Sequence, residues 1–200
     1  MNDKRSKKTN ARRLQMMNAA LQCFNEQGIT ETSIAHICNT SGTSVGSLYH
    51  HFQSKEGLAA ALYLDGIRNY QQGLMMKLKV SLNLAQGISA MIKHHIFWVM
   101  KNREWAVYLS RNRHASFMVD KDDEMLAMNK EFYNTIAQWM RPEVNIGATS
   151  EMSPDIFISV ILGPCQEYTR LYLDNKAVTK PKEAVRLLTE AALRSCKLTE

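Results

Sequence analysis

Val45-Gly46-Ser47-Leu48-Tyr49-His50-His51-Phe52 makes a poor helix if packing is all it has to do, and that misfit decides how the rest of the chain is read. Leu48 and Phe52 stand four apart and can anchor one side inward. The other side is left with Thr43, Ser44, Gly46, Ser47, Tyr49 and His50. These are short hydroxyls, a hydroxyl-tipped ring and an imidazole, groups suited to phosphate and base-edge contacts. Gly46 costs about 1 kcal/mol against Ala in a helix interior. That choice makes sense where a bulky surface has to come close.

Upstream, a short helix is expected over about Ser33 to Thr40, with Thr32 or Ser33 as N-cap, Ile34 and Ile37 facing inward and Gly42 as its stop. Before it, about Thr9 to Gln27 carries Leu14, Met17, Leu21 and Phe24 on one stripe and ends at Gly28. Two short helices joined by a Gly-containing turn and packed on a longer one have the shape of a helix-turn-helix. Downstream, Ser54 is a good N-cap for a fourth helix reaching about Leu78. Lys55 falls in its first turn, where the helix dipole disfavours a cation. A phosphate bound at that helix end would reverse the preference.

Charge points the same way. Residues 1–13 hold Lys4, Arg5, Lys7, Lys8, Arg12 and Arg13 against Asp3 alone, so most of the net charge of +6 sits there. Such a tail is either a solvated arm or one that lies along phosphates or reaches into a minor groove. The helix-turn-helix beside it favours the second use.

Thr32 to Cys38, Ser41 to Phe52 and Ser54 to Leu58 together resemble the TetR family of one-component bacterial regulators, over about residues 10–65. The most specific part is Leu48-Tyr49-His50-His51-Phe52 followed by Ser54-Lys55-Glu56. Cys38 stands where a small Ala is common in the family, and Thr43 where an apolar Val is common. The resemblance implies a homodimer whose recognition helices enter successive major grooves of a palindromic operator, with repression relieved by a small molecule held in the C-terminal helices. It also implies that Tyr49, His50 and Lys55 contact phosphates, helped by Thr32 or Ser33, while Ser44, Val45, Gly46 and Ser47 meet base edges or thymine methyls. Arg and Asn are absent from the recognition helix. Sequence reading would then rest on Ser and Val contacts, Ala35, water and DNA shape.

Beyond residue 84 the helical periodicity continues, over about 85–101, 103–114, 121–140, 154–174 and 181–197, with a surface loop from Arg141 to Ser153. Ser153-Pro154-Asp155 is a strong helix start, and Gly163-Pro164 should kink the helix that follows. The chain therefore reads as all-α. Residues 1–54 form a helix-turn-helix DNA-binding domain with a basic arm, and residues 55–200 a helical ligand-binding and dimerisation domain.

Met and aromatic residues are dense in the second part, and they line adaptable cavities as well as plain cores. His94, Trp98, Trp105, Tyr108, Met125, Met128 and Phe132 are the candidates for a pocket taking an apolar or amphiphilic small molecule. Helix 154–174 is apolar almost all round from Ile156 to Leu162, and the last helix carries a wide apolar stripe. Ile158, Leu162, Val185, Leu188 and Ala192 are accordingly candidates for a four-helix dimer interface, with an intramolecular bundle as the alternative.

Other classes find less support. No apolar run approaches a membrane span, and no signal peptide precedes the first helix, so a cytoplasmic protein is expected. Cys23, Cys38, Cys165 and Cys196 are widely spaced and read as reduced. The adjacent pairs His50-His51 and His94-His95 point apart on a helix and cannot chelate together. No phosphate loop or nucleophile motif is present, so neither enzyme nor cofactor is expected. A helical small-molecule-binding protein without DNA-regulatory activity is the other reading, but a vestigial first domain has no reason to keep the basic arm, Gly46 and Lys55 together.

Overall fold

The computed structural model describes residues 2–113, 115–145 and 152–196, with side chains for 9–113, 115–118, 121–140 and 152–196. Helices follow in the order α1 (Asn2–Gln27), α2 (Ile34–Ser41), α3 (Val45–Phe52), α4 (Lys55–Lys79), α5 (Leu84–Lys101), α6 (Arg103–Arg111), α7 (Asp122–Asn145), α8 (Pro154–Leu173) and α9 (Pro181–Ser195). A 3-10 turn at Ser116–Lys121 precedes α7. Among the described residues there is no strand.

From the end of α1 to the start of α4 the expected stops and caps are present, whereas α6 ends at Arg111 rather than near 114 and Ser153 makes no side-chain cap bond at the start of α8. Gly28 and Gly42 stop α1 and α2 in left-handed conformations, at φ 83° and 63°. Ser33 caps α2 by accepting from the His36 amide, and Ser44 caps α3 by accepting from that of Ser47. Ser54 accepts from the Gly57 amide at the start of α4. Gln53, at φ 66°, makes the sharp turn between α3 and α4.

Three expectations are corrected. The basic segment is not a separate arm: α1 begins at Asn2, so those residues form its first turns. The side chains of Lys4, Arg5, Lys7 and Lys8 lie outside the described residues. Leu14 is 59% exposed, because burial along α1 starts only at Met16. Helix α7 runs on to Asn145 rather than stopping at Met140, and residues 146–151 of the expected loop lie outside the described residues. Helix α8 continues through Pro164, which removes one backbone hydrogen bond without ending it.

The chain divides into two compact units, and none of the boundaries between them falls at 54/55. The first comprises Met1–Ile67 with Glu104–Asp123, the second Arg68–Arg103 with Glu124–Glu200. The cause is visible in side chains. Tyr108 on α6 stacks against Phe24 and donates its hydroxyl to the Ala59 carbonyl at 2.8 Å. Trp105 lies where a side chain on Gly66 would be, 2.5 Å from the position of its Cβ. Asn25 donates to the Glu104 carbonyl, and Arg111 to that of Asn25. Helix α6 thus belongs with α1 and the first half of α4.

In the second unit a continuous apolar layer joins the end of α4 to α5, α7, α8 and α9. It includes Leu74, Ile88, Met91, Phe132, Phe157, Ile161 and Leu193. Helix α5 packs on both α8 and α9.

Candidate nucleic-acid interface

Helices α1, α2 and α3 pack against one another, and α3 contributes Leu48 and Phe52 to their buried face. Its other side is bare. Val45 and Tyr49 are 45% and 47% exposed, and Ser44, Gly46 and His50 are exposed beside them, with Ser47 half-buried. A Cβ added at Gly46 would meet nothing within 4 Å. Nothing inside the protein therefore calls for glycine there.

The serines have a double capacity. Ser33 and Ser44 accept backbone N–H groups as caps, and each exposed hydroxyl still has its own proton to donate. Arg12 is exposed on α1 and Ala35 on α2. The rings of His50 and His51 lie 5.5 Å apart. Burial lowers the His51 pKa, and the neighbouring His50, Arg13 and Arg12 lower it further.

Two predicted contacts are turned inward. Thr32 is fully buried, and its hydroxyl lies 2.6 Å from the Gly28 carbonyl and 3.2 Å from that of Cys23. It ties the α1–α2 connection and has no face to offer a phosphate. Thr43 is half-buried with its hydroxyl 2.6 Å from that of Ser41. Because Ser41 donates to the Cys38 carbonyl, the proton between the two hydroxyls belongs to Thr43. Lys55 is also engaged internally, since its Nζ donates to the Thr30 and Thr32 carbonyls at 2.9 and 3.0 Å. The ammonium thereby joins the start of α4 to the turn before α2, with a third N–H left over. Beside it lies a cleft of about 800 Å³ that no local sequence pattern signals, lined among others by Phe52, Asn112, Phe117 and Lys121.

The seven residues expected to line a ligand pocket are divided between the two units. Trp105 and Tyr108 are packing residues of the first unit, against Gly66 and Phe24. His94, Trp98, Met125, Met128 and Phe132 belong to the second, with Phe132 buried in its apolar layer. Trp98 donates to Asn69 at 2.8 Å, and His94 Nε2 lies 3.0 Å from the Tyr70 carbonyl. His94 reaches that carbonyl across Gly73, where a Cβ would stand 2.6 Å from the imidazole.

Sequence reasoning missed the polar chain beside them. Tyr70 Oη is 2.8 Å from His95 Nδ1, and His95 Nε2 is 3.2 Å from Thr169 Oγ1. Thr169 gives its proton to a backbone carbonyl, that of Cys165 at 2.9 Å. It must therefore accept from His95 Nε2–H, which leaves Nδ1 bare to accept from Tyr70. Three helices are joined by one directed chain. Burial, with a smaller push from His94, drives the His95 pKa down to about 4, and burial raises that of Tyr70 above its usual range. Gln71 and Arg68 tie the same stretch of α4 to Asn129 and Glu124 of α7.

Of the expected interface residues, Leu162 and Ala192 are buried within their own chain, in the α5–α8–α9 layer. Ile158, Val185 and Leu188 are half-buried at its margin. Ile156 and Leu187 are 51% and 44% exposed. Among the described residues no helix is long and apolar enough to cross a membrane, and no three His, Cys, Asp or Glu side chains gather to hold a metal.

Comparison with known proteins agrees with this geometry. Residues 16–62 match the family profile described as "Bacterial regulatory proteins, tetR family". The HTH-type transcriptional repressor KstR2 of Mycobacterium tuberculosis is 26% identical over 153 residues, covering 72% of this chain and 76% of that protein. Among solved structures, a TetR family transcription regulator from Marinobacter aquaeolei VT8 superposes with a TM-score of 0.80 at 15% identity, over 95% of this chain and 97% of the other. The transcriptional regulator FadR from Bacillus subtilis, solved with stearoyl-CoA, gives a TM-score of 0.77 at 14% identity, over 91% and 98%.

Proposed function

The chain belongs to the TetR family of bacterial regulatory proteins, and on that premise we propose that it is a homodimeric repressor released from a palindromic operator by a small molecule. The observation that carries the DNA-binding part is the unoccupied side of α3. Val45 and Tyr49 stand exposed there, Gly46 has no internal reason to be glycine, and capping serines keep a proton to donate. In this reading Ser44, Val45, Gly46 and Ser47 meet bases, while Tyr49, His50, Ser33 and the third N–H of Lys55 meet phosphates. Arg12 and the basic first turns of α1 add counter-charge.

Exposed Ile156 and Leu187, with half-buried Ile158, Val185 and Leu188 beside them, support pairing of α8 and α9 with the same helices of a second copy. The effector is read as an amphiphile held by the second unit. It has to satisfy or displace the Tyr70–His95 chain as well as fill apolar space, so a wholly apolar molecule is disfavoured. FadR from Bacillus subtilis was solved with stearoyl-CoA, which makes long-chain acyl-CoA a reasonable first probe.

The test is fluorescence anisotropy on a labelled duplex from the intergenic DNA upstream of the chain's own gene. Tight binding that weakens steeply with salt and shows a stoichiometry of two chains per duplex is expected. A failure to prefer that duplex over scrambled DNA at moderate salt defeats the reading.

A further inference from the structure

Arg13 sits on α1, yet its guanidinium is engaged with two other helices. Its centre lies 5.5 Å from that of the Phe52 ring, and Nη1 is 3.2 Å from Asp65 Oδ2. Phe52 is the last residue of α3, and Asp65 lies on α4 within the first unit. One side chain therefore spans α1, α3 and α4.

We propose that Arg13 is a positioning residue for DNA recognition: it sets the tilt of α3 by holding its C-terminal end, and it does not itself contact DNA. The inference rests on α3 being the recognition helix. Helix α3 has eight residues, and only Leu48 and Phe52 are buried. Two anchors one turn apart on a single stripe stop the helix from sliding away but leave rotation about the line that joins them. A flat cation over the Phe52 ring, pinned from behind by Asp65, adds a third point off that line. Val45 lies seven residues from Phe52, a lever arm of about 10 Å, so a small rotation at the brace becomes a large displacement where bases would be read. Arg suits this role and Lys does not, because a guanidinium stacks on an aromatic face while aiming a directed N–H at a carboxylate. Arg13 and Asp65 are each about one-third exposed, at 35% and 30%, and ion pairs so placed contribute little to global stability. Orientation is what remains for this one to supply.

The competing role is a direct phosphate contact, which the neighbouring Arg12, His50 and His51 would suggest. The two roles predict opposite signs for one substitution. Asp65→Asn makes the protein more positive, so a phosphate-bound Arg13 would leave DNA affinity unchanged or raised. Loss of the brace would lower it.

Arg13→Gln, Arg13→Lys, Asp65→Asn and the double change Arg13→Gln/Asp65→Asn are titrated by anisotropy on the upstream duplex and on a scrambled duplex of equal length. Thermal midpoints and active fractions are measured in parallel. Arg13→Gln and Asp65→Asn are each expected to weaken specific binding on the order of tenfold, the two together no more than either alone. Arg13→Lys should not rescue, scrambled-duplex binding should hold, and the salt slope should be unchanged. A salt slope smaller by about one in Arg13→Gln, equal losses on both duplexes and undiminished binding by Asp65→Asn would overturn the proposal in favour of a phosphate contact. Should Arg13→Gln fail to fold, Arg13→Lys and Asp65→Asn carry the same opposition of signs. A wild-type chain with no preference for its own duplex removes the premise before any variant is compared.

Discussion

Both units have apolar cores, but in the first the short helices are tied by side chains bonded to backbone, near and far along the chain, whereas in the second a broad apolar layer is crossed by a chain of side chains bonded to one another. Ser33, Ser44 and Ser54 cap their helices, Thr32 and Lys55 bind backbone carbonyls, and Tyr108 reaches the Ala59 carbonyl. In the second unit Tyr70, His95 and Thr169 bond to one another between α4, α5 and α8. The contrast says where to look for function in each. In the first, many polar side chains are used on backbone and others are left facing outward, and the outward remainder on α3 is the proposed interface. In the second, the buried Tyr70, His95 and Thr169 are bonded to one another, so a ligand admitted there has to compete with bonds already made.

Glycine substitutions separate the two most sharply. A Cβ on Gly57 would drive into the Phe52 carbonyl, which is backbone and cannot turn aside. Gly57→Ala should destabilise the first unit by about 3 kcal/mol and distort the end of α3. Chemical denaturation followed by circular dichroism should show the loss, and specific DNA binding should fall with it. A Cβ on Gly73 meets only the His94 imidazole, which can rotate. Gly73→Ala should therefore cost less, about 1 kcal/mol. Equal costs at both positions would mean that the His94 imidazole is held as firmly as the Phe52 carbonyl.

Next in size is the buried chain. Tyr70→Phe leaves His95 Nδ1 without its donor in a buried place, at an expected cost of about 1–3 kcal/mol. Acid should act on the same group. His95 is neutral when folded, with its pKa near 4, whereas an unfolded histidine titrates near its ordinary value of 6.5. The unfolded chain therefore binds the extra proton first. Stability is at its full value above about pH 6.5 and falls as pH drops toward 4, by at most about 1.4 kcal/mol per pH unit from this residue. Burial lowers the His94 pKa as well, which adds a loss of the same sign. Replacing His95 with Gln should flatten this dependence in denaturation measured from pH 7.5 to pH 5, and an unchanged slope would show that other groups carry it.

The same contrast explains how far the sequence could be read. Caps and stops act on neighbouring residues, so Gly28, Ser33, Gly42 and Ser54 announce themselves in order along the chain, whereas the cap Ser44 provides for α3 emerged only from the structure. The inward and outward sides of α3 follow from the spacing of Leu48 and Phe52. Ties between distant residues leave no such trace. Lys55 sits 23 residues from Thr32, so its bond to that carbonyl could not be anticipated, and a lysine in a first helical turn looks equally suited to a phosphate. Tyr108 and Trp105 read as ligand-pocket aromatics because nothing local says that α6 packs beside Ala59 and Gly66. The pair His94-His95 could be excluded as a chelate by its spacing, yet the partners each histidine finds, on α4 and α8, depend on how the helices pack.

Gly46→Ala is the smallest effect and the most discriminating, because it moves stability and function in opposite directions. The Cβ would enter open space within the protein, and Ala is the better helix former. The free protein should gain up to about 1 kcal/mol, less what the short α3 already draws from packing. If glycine is there so that DNA can come close, the same methyl group has to push the duplex away, and specific affinity should fall although the fold is firmer. A variant that gains stability and keeps full affinity for the upstream duplex would show that the Gly46 side of α3 never touches DNA. It would move the contacts toward Tyr49 and His50 at the helix's other end, and leave the bare surface around Val45 without an occupant.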